Sequence, residues 1–232
     1  MTLPRPASRL APAVLAALLP WLAGCQTRIL LPVAPKPDTP PRAATPADAL
    51  RRLAWSWKHR ALEPCRDLFS CDYEFAFAPE DTSGRRFLDR PWTRPDELDF
   101  ARHLFETGGA QGGPASYVAL DLQDDPPALP DDRPGKNARC HQRIETPFVA
   151  VVVTPGRELR LLGIERLYFV RGDSACIPQE LRDRGYGPDS TRWWIERWED
   201  YSTTAAPFRA QPARPVTVGA VKALYLDAPP AP

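Results

Sequence analysis

The spacing of apolar residues changes twice along the middle of this chain. Thr45-Pro46-Ala47-Asp48 has the composition of a helix start, with a capping hydroxyl, a proline suited to the first turn and an acid at the positive end of the helix dipole. Apolar side chains then recur at helical intervals, namely Leu50, Leu53, Ala54, Trp57 and Ala61. The pattern predicts one helix here and a short second helix over Leu62 to Ser70.

From Cys71 to Ala78 the spacing becomes that of a strand. Tyr73, Phe75 and Phe77 alternate with smaller or polar residues, so the predicted strand has one apolar face. Thr93-Arg94-Pro95-Asp96 begins a third predicted helix, which Gly108 ends. Later strands are predicted over Ser116 to Leu122, Phe148 to Val153, Glu158 to Arg171 and Arg192 to Tyr201. Because helices come first and strands follow, the order favours an α+β fold with an antiparallel sheet.

The first 24 residues have the pattern of an export signal. Arg5 and Arg9 precede a short apolar run, and no acidic residue occurs before Asp38. Leu22-Ala23-Gly24-Cys25 then resembles the lipobox of bacterial lipoproteins. The resemblance implies cleavage after residue 24 and acylation of Cys25 on its sulfur and its new amine, and several acyl chains hold a protein stably at a membrane.

Two alternatives to a lipoprotein stay open on the sequence. One is an uncleaved membrane span, although the apolar run is interrupted by Pro12 and Pro20 and is shorter than the roughly 20 residues that a span needs. The other is an ordinary signal peptide that ends before a cysteine. For a lipoprotein, Gln26 in place of Asp after the acylated cysteine implies sorting to the periplasmic side of the outer membrane.

Proline content divides the chain after the export signal. Of the 232 residues, 29 are proline, and the proline-rich stretch over 25–46 is typical of an extended tether. The domain is predicted over 47–204 and includes a proline-rich exposed loop from Pro126 to Pro134. A further proline-rich stretch over 205–232 is predicted to be a tail with one apolar island, Val216 to Leu226. The formal net charge of +1 argues against nucleic-acid binding.

Four cysteines remain after the predicted acylation site, and they are Cys65, Cys71, Cys140 and Cys176. An even number of cysteines in an oxidising compartment predicts two disulfides, for which three pairings exist. The sequence lacks the closely spaced pairs typical of a structural zinc site, so neither a metal nor a cofactor is expected.

The order of elements resembles that of the NTF2-like (cystatin-like) superfamily. The closing strand of that superfamily is similar to Arg192-Trp193-Trp194-Ile195-Glu196-Arg197-Trp198-Glu199-Asp200. Its opening helices and first strand are similar to Ser56-Trp57-Lys58-His59-Arg60, Leu62-Glu63-Pro64, Leu68-Phe69 and Asp72-Tyr73-Glu74-Phe75. The resemblance implies a cone of helices packed into a strongly curved antiparallel sheet; another α+β sheet with the same order of elements is the alternative. In the cone the first strand runs antiparallel beside the last, which implies that Cys140 pairs with Cys176 and Cys65 with Cys71.

Some NTF2-like proteins, such as ketosteroid isomerases and scytalone dehydratase, are enzymes that use the pocket between helices and sheet. Such chemistry needs a base with a raised pKa beside a proton donor in a dry pocket. Side chains alternate between the two faces of a strand, and this alternation places Glu165 and Asp121 on the inward face as catalytic candidates. Tyr73 and Tyr117 could supply hydroxyl groups. The histidines, His59, His103 and His141, are expected at the surface or in a loop, and the sequence has neither a Ser-His-acid set nor an HExxH motif.

The last predicted strand carries large apolar residues on both faces. By parity, Trp193, Ile195 and Arg197 share one face, while Trp194 and Trp198 share the other. The outer face needs a cover, since wide apolar patches rarely stay exposed. The tail island is the expected cover; a second copy of the chain, or an envelope protein docked on the sheet, is the alternative.

These patterns predict a membrane-anchored envelope lipoprotein whose NTF2-like module is non-catalytic and binds a small apolar ligand or a protein partner. The alternative is an envelope lyase or isomerase acting on a small hydrophobic substrate. An enzyme is expected to keep an open pocket with an unpaired carboxylate at its floor. A module is expected to fill that pocket with its own side chains or to line it only with apolar groups.

Overall fold

The computed structural model describes residues 39–79, 81, 87, 90–109, 113–201 and 217–226. The predicted signal peptide, Cys25 and the tether up to residue 38 lie outside the described residues, and so does the tail up to residue 216. Within the described ranges, no helix is both long enough and apolar enough to cross a bilayer.

Five helices are described, and the two with capping signals begin where the sequence places them, after Thr45 and after Thr93. The described helices are α1 (Pro46–His59), α2 (Leu62–Arg66), α3 (Arg94–Arg102), α4 (Gln179–Arg182) and α5 (Val218–Leu226). The side chain of Thr45 accepts a hydrogen bond from the backbone N–H of Asp48 at 3.0 Å, which caps α1. Thr93 and Asp96 cap α3 reciprocally, and a π-helical turn over His103–Thr107 continues this helix.

The strands form one curved mixed sheet whose order is β2-β1-β7-β6-β5-β3, with β4 paired to β5. They are β1 (Phe69–Ala76), β2 (Trp92–Thr93), β3 (Tyr117–Leu122), β4 (Leu129–Pro130), β5 (His141–Thr154), β6 (Arg157–Arg171) and β7 (Trp193–Asp200). Helix α1 packs on the concave face against β3, β5 and β7, so the main core lies between helices and sheet. The predicted α+β cone is thereby confirmed. Strand β5 is longer than predicted because its polar first half also pairs with β6.

One pair of neighbouring strands differs in direction from the expectation. Strands β1 and β7 are parallel, with Phe69 opposite Ile195, whereas the cone resemblance implied an antiparallel pair. The start of β1 therefore lies beside the start of β7 and the segment that precedes it. Cys71 and Cys176 meet there and form a disulfide with their Cα atoms 5.3 Å apart.

The implied cysteine pairs are therefore wrong. Cys140 and Cys65 were each expected to bond a residue that the Cys71–Cys176 disulfide occupies, and both are free thiols in the structure. Cys65 is buried at the end of α2, while Cys140 is partly exposed. The physical reason is the direction of β1, which places Cys71 at the opposite end of the sheet from the one expected.

A β-bulge in β7 changes which side chains face the core. Opposite β6, the register passes from Ile195–Phe169 directly to Arg197–Tyr168, so Glu196 is an extra residue. Trp198 consequently joins the concave core together with Ile195, although strict alternation predicted opposite faces. Arg197 points to the other face and pairs with Glu74 at 2.8 Å. The expected parity of this strand holds only up to the bulge.

The outer face of β7 is covered by the segment between β6 and β7. Trp194 packs there with Val170, Ile177 and Leu181, the last of which lies on α4. The expected cover, the tail island, packs elsewhere: Val218, Val221 and Tyr225 of α5 join the main core beside α3. That expectation is wrong because the chain already supplies a cover before β7 begins.

Candidate functional site: the interior of the cone

The structure brings two of the four catalytic candidates into the interior of the cone. Tyr73 and Glu165 are 1% and 0% exposed, as parity on β1 and β6 predicted. Tyr117 and Asp121 lie on the outer face of β3, where Tyr117 is 51% exposed, because their neighbours Val118 and Leu120 take the inward positions. The expectation that Asp121 points inward is wrong.

A buried carboxylate on α3 forms the centre of the interior. Oε2 of Glu97 accepts hydrogen bonds from the Tyr73 hydroxyl at 3.0 Å, from the Trp92 indole at 2.9 Å and from the Lys222 ammonium at 2.5 Å. Glu97 is 2% exposed, so these donors replace the water that a surface carboxylate would have. The sequence contains a signal for this residue, because Glu97 lies on the apolar stripe of α3 one turn before Phe100.

Lys222 reaches this carboxylate from α5 and is fully buried. Its Nζ lies 3.5 Å from the ring centroid of Phe75 and 4.3 Å from that of Trp198, so the ammonium contacts aromatic faces as well as its counter-ion. Burial lowers the pKa of Lys222, and the neighbouring Glu97 opposes that shift. Sequence reasoning missed this residue, although it is the single charge in the apolar tail island.

Glu165 lies on β6 beside the same cluster. The indole N–H of Trp198 donates a hydrogen bond to its Oε2, while its Oε1 is buried and has no hydrogen-bond partner among the described residues. Burial raises the pKa of Glu165 well above its ordinary value, and the charge of Asp200, opposite it on β7, raises it further. The protonated acid is therefore favoured, since ionisation would add a charge to a dry region that already holds Asp200.

Tyr73 is the second candidate in the interior. Burial, and then the charge of Glu97, raise the pKa of its hydroxyl well above the ordinary value. The hydroxyl is held as a donor to Glu97, so its proton is already engaged within the cluster. Neither Tyr73 nor Glu165 is open to solvent.

Glycines allow α5 to dock closely over this cluster. A Cβ on Gly219 would meet the ring of Phe77 and the carboxylate of Asp81 at 2.5 Å. A Cβ on Gly109 would meet the backbone oxygen of Tyr225 at 2.9 Å. The backbone N–H of Gly219 also donates to Asp200 at 3.1 Å. The tail helix thus fills the space between helices and sheet.

Open space remains at the rim of the cone. A small depression of about 30 Å³ lies at the end of α5, and its lining includes Gly113, Arg157, Leu159 and Leu224. Its walls are mostly apolar and carry none of the buried carboxylates. Access from this depression to Glu97 or Glu165 would require α5 to move.

The histidines lie outside the interior, as predicted. His59 is exposed and its ring stacks on Trp55, with the centroids 4.2 Å apart. His103 is bonded to the carbonyl oxygen of Gly108 at 2.7 Å, and His141 contacts Asn137 in the loop before β5. None of them is within the hydrogen-bonded cluster around Glu97.

One group of potential metal ligands occurs among the described residues. Donor atoms of Cys71, Asp72 and Cys176 lie within 4.8 Å of one another. The two sulfurs form the disulfide, and a metal is bound by thiolates, so only the Asp72 carboxylate is available.

No protein-family model matches the chain, and no curated protein matches it in sequence. Solved structures do match its fold. A protein from Novosphingobium aromaticivorans, provisionally named a scytalone dehydratase, has 12% identity and a TM-score of 0.45, with 72% of this chain and 88% of that one covered.

Two further solved structures are similar at the same level. An NTF2-like superfamily protein from Salmonella enterica has 15% identity and a TM-score of 0.42, with 71% of this chain and 94% of that one covered. The hexachlorocyclohexane dehydrochlorinase LinA, type 2, has 8% identity and a TM-score of 0.40, with 71% and 88% covered. At such identities the similarity concerns the fold, and the activities in these names are those of the other proteins.

Proposed function

We propose that this chain is a lipid-anchored module of the bacterial cell envelope, with an NTF2-like domain that binds a protein partner and catalyses no reaction. The observation that carries this conclusion is the filled interior. Val221, Lys222 and Tyr225 of α5 occupy the space in which an enzyme of this architecture would hold its substrate. Lys222 also neutralises Glu97, which removes that carboxylate as a base. A small apolar ligand finds no room there while α5 is docked.

The lipid anchor is supported by the sequence of the first 25 residues. The test is mass spectrometry of the N-terminal peptide from protein extracted in mild detergent. We expect a peptide that begins at Cys25 and carries acyl chains, and a Cys25→Ser variant that lacks them. An unmodified chain that still begins at Met1 would refute the anchor.

The non-catalytic interior is tested by native mass spectrometry of the same extract. We expect the wild-type mass to correspond to the polypeptide and its acyl chains, without a retained small molecule. A variant that ends at residue 216 lacks α5, and we expect it to take up an apolar fluorescent probe. A variant that ends at residue 226 keeps α5 and serves as the matched control.

One observation favours the second function, an envelope lyase or isomerase. Glu165 is a buried acid with a raised pKa, and its charge contributes to the raised pKa of the Tyr73 hydroxyl; an acid and a hydroxyl of this kind are groups that proton transfer uses. This function requires α5 to leave the cone during turnover. A small molecule retained by the wild type and lost on Glu165→Gln would favour the enzyme over the module.

A further inference from the structure

A second open site lies between the N-terminal part of the domain and the segment that covers Trp194. It is a cleft of about 420 Å³. Arginines from both sides of the cleft line it, and they are Arg42, Arg52, Arg184 and Arg192. No catalytic or binding role was expected for these residues from the sequence.

Positive charge exceeds negative charge in this cleft. Asp189 lines it, and the buried Asp67 lies beside it within 3.3 Å of Arg184 and 3.9 Å of Arg52. Glu63 adjoins the cleft as well, and it pairs with Arg66 in addition to Arg184.

Four arginines lining the cleft thus face two carboxylates, and the adjoining Glu63 and Arg66 cancel each other. The surplus is two positive charges, on a chain whose formal net charge is only +1. A local surplus of this kind attracts anions.

The guanidinium groups are held in fixed positions. Arg52 donates to the backbone oxygens of Pro41 and Pro64 at 3.2 and 3.1 Å, and Arg42 donates to Thr191 at 2.9 Å. Arg192 lies over the rings of Tyr186 and Trp194, 4.8 and 4.3 Å from their centroids. Such positioning reduces the side-chain freedom that ligand binding would otherwise remove.

Arg192 has one unsatisfied donor, although its Nη2 donates a hydrogen bond to the backbone oxygen of Asp67. Its Nε is buried and has no hydrogen-bond partner among the described residues. Burial lowers the pKa of Arg192, and the neighbouring Arg52 lowers it further. A buried guanidinium with an unsatisfied N–H is stabilised by an anion that supplies both charge and acceptor oxygens.

We propose that this cleft binds a phosphate group. Guanidinium forks match the oxygens of phosphate in pairs, and a surplus of two positive charges matches the charge of about −1.5 to −2 that a phosphate monoester carries near pH 7. The group comes either from a free phosphorylated molecule or from a lipid headgroup. The inference goes beyond the proposed function and does not depend on the lipid anchor.

If Cys25 is acylated, the length of the tether limits how far the cleft lies from lipid headgroups. Arg42 follows Cys25 by seventeen residues, which span about 60 Å at most when extended. An anchored domain therefore keeps the cleft within that distance of the headgroups. The two sources are separated by experiment.

The experiment is isothermal titration calorimetry on the full chain in mild detergent. The probes are inorganic phosphate, pyrophosphate and a soluble short-chain phosphatidic acid, whose headgroup is a phosphate monoester, with acetate as the carboxylate comparison. Exposed Arg42 and half-exposed Arg184 are each replaced by Gln, and Arg160→Gln, on the outer face of the sheet, is the matched control.

We expect a phosphate-bearing probe to bind, and Arg42→Gln and Arg184→Gln each to weaken binding by about tenfold or more. Arg160→Gln is expected to bind like the wild type, and affinity is expected to fall as salt rises. Tighter binding of the lipid probe than of free phosphate assigns the source to headgroups, and the reverse assigns it to free phosphorylated molecules. The inference is overturned if no probe binds, if acetate binds as tightly, or if Arg160→Gln weakens binding as much as Arg42→Gln.

Discussion

The buried pair of Lys222 and Glu97 provides the sharpest test of how the tail closes the cone. Replacing Lys222 by Met gives an unbranched side chain one atom shorter and removes the charge, which leaves Glu97 buried with two neutral donors, Tyr73 and Trp92. Breaking a buried pair in this way typically costs about 3–5 kcal/mol. The loss of stability has an upper limit, because the variant can avoid a buried unpaired charge by protonating the carboxylate. Neutralising an ordinary glutamate at pH 7 costs about 3.7 kcal/mol.

We therefore expect Lys222→Met to lower the free energy of unfolding by about 3–4 kcal/mol at pH 7, which corresponds to a decrease in Tm of about 6–16 °C for a domain of this size. The loss shrinks as the pH falls toward about 4.5, because the abandoned carboxylate then takes up a proton more cheaply. Urea unfolding followed by tryptophan fluorescence measures it, since Trp92 and Trp198 lie beside the pair.

Two variants make the test specific. The double variant Lys222→Met with Glu97→Gln removes both charges and is expected to recover most of the loss. Lys58→Met changes an exposed lysine on α1 and is expected to change stability by less than about 0.5 kcal/mol. A loss below about 1 kcal/mol, a loss independent of pH, or a double variant no more stable than the single one would refute this account of the closed interior.

Three further outcomes follow from the structure. Glu165→Gln is expected to stabilise the protein increasingly as pH rises above about 4.5, because the raised pKa makes ionisation of the buried acid costly; stability curves at several pH values measure this, and a pH-independent effect would contradict it. Cys71→Ser opens a disulfide that spans 105 positions and is expected to lower the free energy of unfolding by about 2–4 kcal/mol, whereas Cys140→Ser is expected to leave it nearly unchanged in denaturant titrations. Gly219→Ala is expected to lower Tm and expose α5 to protease although alanine is the better helix former, while Gly187→Ala, which meets open space, is the control.

The sequence alone predicted the first three helices, most of the longer strands and some of the interior. The capping signal at Thr45 and the spacing of Leu50, Leu53 and Trp57 determined α1, because helix starts and buried faces depend on neighbours in the chain. The alternation of side chains along β6 likewise predicted that Glu165 faces the interior of the cone, because it too depends only on neighbours in the chain. The α+β order followed from these elements, since each must bury one face against another.

Only the tertiary structure decided the direction of β1, the bulge at Glu196 and the place of the tail. The parallel pairing of β1 with β7 changed the disulfide to Cys71–Cys176, and the bulge moved Trp198 into the interior. Docking of α5 then buried Lys222 against Glu97. These features depend on contacts between residues far apart in the chain. A local period of apolar residues reports whether a face is buried, but not which distant segment covers it or in which direction that segment runs.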